Sequence, residues 1–300
     1  MSLDIVGDIR GEANALKRLL KAMGYFPRTG VYRNSRRRVV FVGNFINGSC
    51  NIEVVAIIKA MVENGAAIAL MGNQEFNAIC FHTVGDDGQF RRKRTNENII
   101  EHMQFLQEHF SLDDEGERLH ETIEWFKTLP VFFEDDGLRA VHACWDFRAT
   151  EGLRVGSNSN HSLIPSTLAK AMYKHTEENS ALSSLIQGVD VILPKGEMHR
   201  EASGKTRRTK PLEWWKNAQQ ENRETINMKG PILKYPSHEK PLFFGHYRLK
   251  GNPAPLSHNM ACLDYSLGKK RGNLCAYRWD GETRLDARKL VSVAVTLLTN

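Results

Sequence analysis

Apolar residues come in short, nearly solid runs that alternate with longer stretches of helical spacing. The run Leu3–Val6 stops at Gly7-Asp8, and Ala15, Leu16, Leu19, Leu20 and Met23 then recur every three or four positions over residues 12–23. Val39–Val42 is a second run, ending at Gly43, and Val54, Val55, Ile58, Met61 and Val62 repeat the helical pattern over 52–64. Ala67–Met71 is a third run, ending at Gly72, with a helix expected from about Gln74. Solid runs read as strands buried on both faces, and a strand–loop–helix cycle argues for an α/β sheet with helices on its faces.

The middle of the chain is more helical. Residues 96–109 and 116–128 predict two polar-faced helices, closed by Pro130, before a strand at Leu138–Val141 that ends at His142. Residues 150–240 are the least regular and read as an insertion or cap with short helices within a single domain of residues 1–300. A strand at Leu242–Phe244 follows, and Met260–Asp264 and Leu274–Trp279 are expected to form a final antiparallel pair.

At 300 residues, with 41% hydrophobic and 25% charged, the chain has ample length for an ordinary core. No apolar run approaches the roughly 18 residues of a spanning helix, and the first residues read as a strand with no leader pattern. The five cysteines (Cys50, Cys80, Cys144, Cys262 and Cys275) are widely spaced and form no Cys-x-x-Cys, which points to reduced thiols and a cytoplasmic protein. The net charge of +6 is clustered at Arg36–Arg38, Arg91–Arg94, Lys205–Lys210 and Lys269–Arg271, so nucleic acid or phosphate enters as a partner.

The informative residues stand where strands end. In an open α/β sheet ligands bind beyond the carboxyl ends of the strands. Here those ends carry Gly7-Asp8-Ile9-Arg10-Gly11, Gly43-Asn44-Phe45-Ile46-Asn47-Gly48, Gly72-Asn73-Gln74-Glu75, Val141-His142-Ala143 and Gly245-His246-Tyr247. Each alone is an ordinary turn. Together, in this order, they resemble the calcineurin-like metallophosphoesterases, and more closely the bacterial-type branch near phosphoprotein phosphatases and symmetrical diadenosine tetraphosphate hydrolases. The resemblance spans residues 5 to about 280. It implies a β-sandwich of two mixed sheets flanked by helices, with two metal ions at the strand ends that clamp a phosphate and generate the nucleophile.

Carried over residue by residue, the resemblance puts Asp8, Asn44, Asn73, His142 and His246 at metal-ligand positions. Arg10 stands where that family has a ligand His, Asn44 where it has the bridging Asp, and Asn47 at the second Asp of the same motif. Gly48 replaces the phosphate-binding Arg and Gln74 the catalytic His, while Glu75 is retained. Arginine is always charged and has no lone pair to donate, so Arg10 is expected to pair with Asp8 as a tethered cation in the first metal position. The remaining donors are neutral and suit at most one weakly held divalent ion: zinc, manganese or nickel.

Three functions follow as expectations. The leading one is a catalytically degenerate homologue that keeps a cleft for phosphate, a nucleotide or a phosphoprotein, with Arg10, Arg207, Arg208 and Tyr247 as its ligand contacts. The alternatives are a weakly active phosphoesterase using one metal, and a nucleic-acid-binding protein using the basic clusters. No membrane role is expected. Trp214-Trp215 follows the basic segment and can anchor it or stack a base. Cys144 is expected to be a buried small residue and the other histidines to be exposed or hydrogen-bonded.

Overall fold

The structure is a computed structural model, and residues 2–111, 116–200, 206–216, 234–265 and 272–295 are described. Strands β1 (Ser2–Val6), β2 (Arg37–Phe41) and β3 (Ala67–Ala69) run parallel in one sheet. Strands β4 (Phe132–Glu134), β5 (Arg139–Val141), β6 (Leu242–Phe244) and β7 (Met260–Cys262) form a second sheet in the order β7-β6-β5-β4. There β5, β6 and β7 are mutually parallel, and β4 is antiparallel to β5. The first sheet is completed by β8 (Asp264–Tyr265), β9 (Gly272–Trp279) and β10 (Leu290–Val295).

Side-chain alternation fixes how the sheets stack. Leu3, Ile5, Val40 and Val42 of the first sheet share one buried cluster with Ala140, Phe243 and Ala261 of the second. Val6, Val39, Phe41, Leu242 and Phe244 face the opposite way, into the helical layers. Those layers include α1 (Ala13–Ala22) and α2 (Asn51–Glu63) beside the first sheet, and α6 (Phe147–Arg154) and α8 (Glu177–Gln187) beside the second. Helix α3 (Asn73–His82) starts at the site, and α4 (Asn96–Phe110) and α5 (Glu117–Lys127) follow it. The expected two-sheet α/β sandwich is what the chain forms.

One expectation fails. Met260–Asp264 is not one strand paired with Leu274–Trp279. Met260–Cys262 lies parallel to Leu242–Phe244, and only Asp264–Tyr265 pairs antiparallel with β9, as Asp264↔Leu274. The chain changes sheets at Leu263, whose N–H still bonds Phe244 O at 2.7 Å while its side chain enters the inter-sheet core. A continuous apolar run cannot announce such a crossing. The hairpin Phe26–Arg28/Val31–Arg33 is also absent from the sequence reading, as is strand β10, although Val291, Val293 and Val295 alternate with Ser292 and Ala294.

Within 150–240 the described residues include α7 (Pro165–Ala171), α8 and two small hairpins, Asp190–Ile192 with Thr209–Pro211 and His199–Arg200 with Thr206–Arg207. Lys205 and the cluster Lys269–Arg271 lie outside the described residues. Among the described residues no helix is long and apolar enough to cross a membrane.

Strand β1 is pinned by a buried charge. Asp4 is fully buried and accepts from Arg37 Nε at 3.0 Å, Arg278 Nε at 3.2 Å and the Tyr25 hydroxyl at 2.9 Å. Asp4→Asn keeps the shape and removes the charge that two guanidinium groups share. It should lower stability by about 3 kcal/mol, read as a shift of the urea midpoint at unchanged slope.

Candidate functional site

Both sets of parallel strands point their carboxyl ends at one edge, where the motif loops meet. Asp8, two residues past β1, is the centre. Its Oδ2 accepts from Arg10 Nη2 at 2.7 Å and from Asn44 Nδ2 at 2.8 Å, and its Oδ1 accepts from His246 N at 3.0 Å. Gly245 is needed for that last contact, because a Cβ there would overlap Asp8 Oδ1. Arg10 also reaches Asp264 Oδ2 at 3.2 Å, which accepts from Arg248 N at 3.0 Å. Burial alone would pull the Arg10 guanidinium down, but Asp264 and Asp8 outweigh it and hold its pKa above the ordinary range.

Asn44 is fully engaged. Besides donating to Asp8, its Oδ1 accepts from Gln74 N at 3.1 Å and its own N–H goes to Glu75. Asn47 donates its amide to Gln74 Oε1. Glu75 is buried and accepts from Asn44 N and Phe45 N at 2.8 Å each and from Gly72 N at 3.0 Å. It braces the β2 loop against the β3 loop. Burial pushes its carboxyl up, against those N–H groups. Gly48 has no room for a side chain, since a Cβ would overlap Arg10 O.

His142 donates Nδ1–H to Val42 O at 2.8 Å, tying the second sheet to the first. A neutral ring then presents a lone pair at Nε2, which faces Asn73 Oδ1 at 3.1 Å. Two acceptors meet there unless the amide is turned or a cation sits between them. His246 lies edge-on to His142 with ring centroids 5.4 Å apart, and its Nδ1 is buried with no partner among the described residues. Burial lowers His142 to about 4 and His246 to about 3, so both are neutral near pH 7.

Tyr247 is half-buried and stands edge-on to Trp215 at 4.6 Å, while Trp214 donates to Ala143 O at 3.3 Å. The tryptophan pair is thus built into the wall beside His246. Arg207 and Arg208 lie exposed on the small hairpins of residues 190–211. Cys144 is buried, as expected, and its thiol is pushed up by that burial. Two residues that sequence reasoning missed are Asp264 and Arg248. Asp264 follows an apolar run as the motif residues do, but carries no glycine to mark it.

Five non-glycine residues of this edge, Arg10, Asn44, Asn47, His246 and Arg248, have left-handed backbone, with φ of 51°, 57°, 78°, 73° and 49°. Such conformations cost about 1–3 kcal/mol each and persist where the surroundings over-determine them.

The sandwich, with motif loops in order along one edge, decides the fold. The chain forms the two-sheet sandwich that its resemblance to calcineurin-like metallophosphoesterases implies. No protein-family model matches it. It is 35% identical over 75 residues to the asymmetrical bis(5'-nucleosyl)-tetraphosphatase PrpE of Oceanobacillus iheyensis, a match spanning 24% of this chain and 30% of that protein's length. Solved structures that resemble it include a serine/threonine phosphatase from Saccharomyces cerevisiae with similarity to human phosphatase PP5 (11% identity, 98% of this chain and 79% of that one, TM-score 0.48). A metallophosphoesterase from Sphaerobacter thermophilus is 12% identical, over 99% of this chain and 89% of that one, with TM-score 0.42. A cold-active protein tyrosine phosphatase is 14% identical, over 92% and 73%, with TM-score 0.48. None of these likenesses bears on the chemistry, which rests on the residues.

The resemblance implies divalent ions at this edge. In the first position the donors do not fit a metal: Arg10 lies on Asp8, and Asn44 turns its amide nitrogen, not its oxygen, toward Asp8. In the second, Asn73 Oδ1, His142 Nε2 and the unpartnered His246 Nδ1 are a donor set compatible with one ion.

Replacing Glu75 by Gln would turn an NH₂ group toward backbone N–H donors, and should lower stability by about 2 kcal/mol in a denaturant melt. A second expectation concerns pH. Burial also lowers His82 to about 4 and His102 to about 3, with Nε2 atoms 3.1 Å apart. Unfolded, these four histidines bind protons near the ordinary 6.5; folded, only near or below about 4. The unfolded state therefore holds more protons as the pH falls through that window, and stability should drop. Urea midpoints at pH 7 and pH 5 measure it, and His102→Gln should reduce the difference.

Proposed function

We propose that this chain is a catalytically degenerate metallophosphoesterase homologue that uses its strand-end cleft to bind a phosphorylated ligand. The observation that carries the reading is the Arg10 guanidinium 2.7 Å from Asp8 Oδ2 and 3.2 Å from Asp264 Oδ2. A metal pair needs anionic ligands around an open position. Here Asp8 and Asp264 already accept from donors of the chain itself, and the cation is tethered. The bridging carboxylate, the clamp arginine and the leaving-group histidine are replaced by Asn44, Gly48 and Gln74. Gln74 is neutral and its amide oxygen is engaged by Asn47, so it has no proton of suitable acidity to give.

The ligand class follows from what is left. The cleft keeps a guanidinium, neutral histidines and an aromatic wall at Tyr247 and Trp215, which suits a phosphate joined to a nucleoside or a side chain. The relative that carries the name bis(5'-nucleosyl)-tetraphosphatase makes such a tetraphosphate the first probe. The nucleic-acid reading has less support: Arg91 pairs with Asp87, Arg92 with Glu101 at 2.7 Å, and Arg94 lies over Phe90, so three of the four cations of that run are engaged within the chain.

A second reading keeps one metal, held by Asn73, His142 and His246. It is favoured by the facing lone pairs at His142 Nε2 and Asn73 Oδ1. An ion there would supply Lewis acidity to a phosphate oxygen.

Elemental analysis after purification with excess manganese, together with p-nitrophenyl phosphate and tetraphosphate hydrolysis, tests both. The degenerate reading expects fewer than two ions per chain and turnover near background. Two bound ions with turnover near 1 per second (about the low end for enzymes), lost in His142→Ala, would overturn it. One ion per chain with weak turnover, both lost in His142→Ala, would select the second reading. Conversely, the quadruple change Arg10→His, Asn44→Asp, Asn47→Asp, Gln74→His should restore manganese binding by calorimetry, with Gly48 left alone because its neighbours leave no room. Each single change should do little, since such residues act as a unit.

A further inference from the structure

We propose that Arg248 is the anion-receiving residue of the cleft, seating one phosphate group of the ligand together with Arg10, in place of the arginine that position 48 has no room to carry. The proposal rests on the reading of the cleft as a site for a phosphorylated ligand.

The backbone of Arg248 lies beside the Arg10 guanidinium. The Arg248 N–H and the Arg10 guanidinium converge on the same oxygen, Asp264 Oδ2, at 3.0 and 3.2 Å. Arg248 is exposed, and its side chain makes no ion pair or hydrogen bond with another described residue, whereas Arg10 lies between Asp8 and Asp264. Arg10's charge is close enough to lower the pKa of Arg248, with burial the next cause; a bound anion would relieve that repulsion.

The loop that presents Arg248 is held at every turn. Gly245 N donates to His142 O at 2.8 Å, Tyr247 N to Gly245 O at 3.0 Å and Leu249 N to Asp264 O at 2.8 Å. Arg248 itself sits at φ 49°, the left-handed backbone that accompanies its N–H bond to Asp264 Oδ2. From that fixed backbone the planar guanidinium can make two parallel bonds to phosphate oxygens. Gly48 explains why the guanidinium comes from this side: the β2 loop packs its backbone against Arg10 O.

Calorimetric titration with pyrophosphate and with a bis(5'-nucleosyl) tetraphosphate, in low salt, tests this. Wild type should bind, and Arg248→Gln should bind about tenfold more weakly or worse, with an unchanged thermal midpoint because no internal partner is lost. Arg288→Gln, at an exposed arginine paired with Asp286, removes the same charge and should leave affinity unchanged. Wild-type affinity in Arg248→Gln, or an equal loss in Arg288→Gln, would overturn the proposal while the cleft reading stands. No binding of either probe by wild type would overturn both.

Discussion

A guanidinium between two buried carboxylates organises the mouth of this fold. The Asp8 and Asp264 side chains are fully buried and that of Arg10 is 15% exposed. A carboxylate taken from water without a partner costs several kcal/mol, so each aspartate requires the arginine and the backbone N–H groups around it. The two sheets deliver those partners: Asp8 leaves β1, Asp264 leaves β7 at the sheet crossing, and His246 and Arg248 follow β6. The left-handed backbones at Arg10, Asn44, His246 and Arg248 are the cost of bringing three loops onto two carboxylates.

This ion triad also limits the chemistry. The Asp8 and Asp264 oxygens that face the site accept from fixed donors of the chain, and one of their two negative charges is met by a tethered cation. The second position differs in kind. His142 and His246 are kept neutral by burial, and among the described residues no carboxylate is hydrogen-bonded to either ring. The edge thus divides into a closed, internally paired half and a half that still offers nitrogen and amide oxygen.

Much of the frame was legible because solid apolar runs ending in glycine mark buried strands and their turns. Asp8, Asn44, Asn73, His142 and His246 each follow such a run, and all of them converge. The pairing of Arg10 with Asp8 was legible from charge alone. Asp264 and Arg248 were not, because the chain changes sheets at Leu263 with no break in hydrophobicity and no glycine. The role of Glu75 was hidden too: a carboxylate beside a motif looks chemical until its backbone partners are known. Gly48 read as a lost arginine, and only packing against Arg10 O shows that no side chain fits there.

Anomalous diffraction at the manganese edge, from crystals grown in excess manganese, tests the central claim most directly. The account expects no peak beside Asp8 and the Arg10 guanidinium on Asp8 and Asp264. A manganese ion bridging Asp8 and Asn44, with Arg10 displaced into solvent, would contradict it.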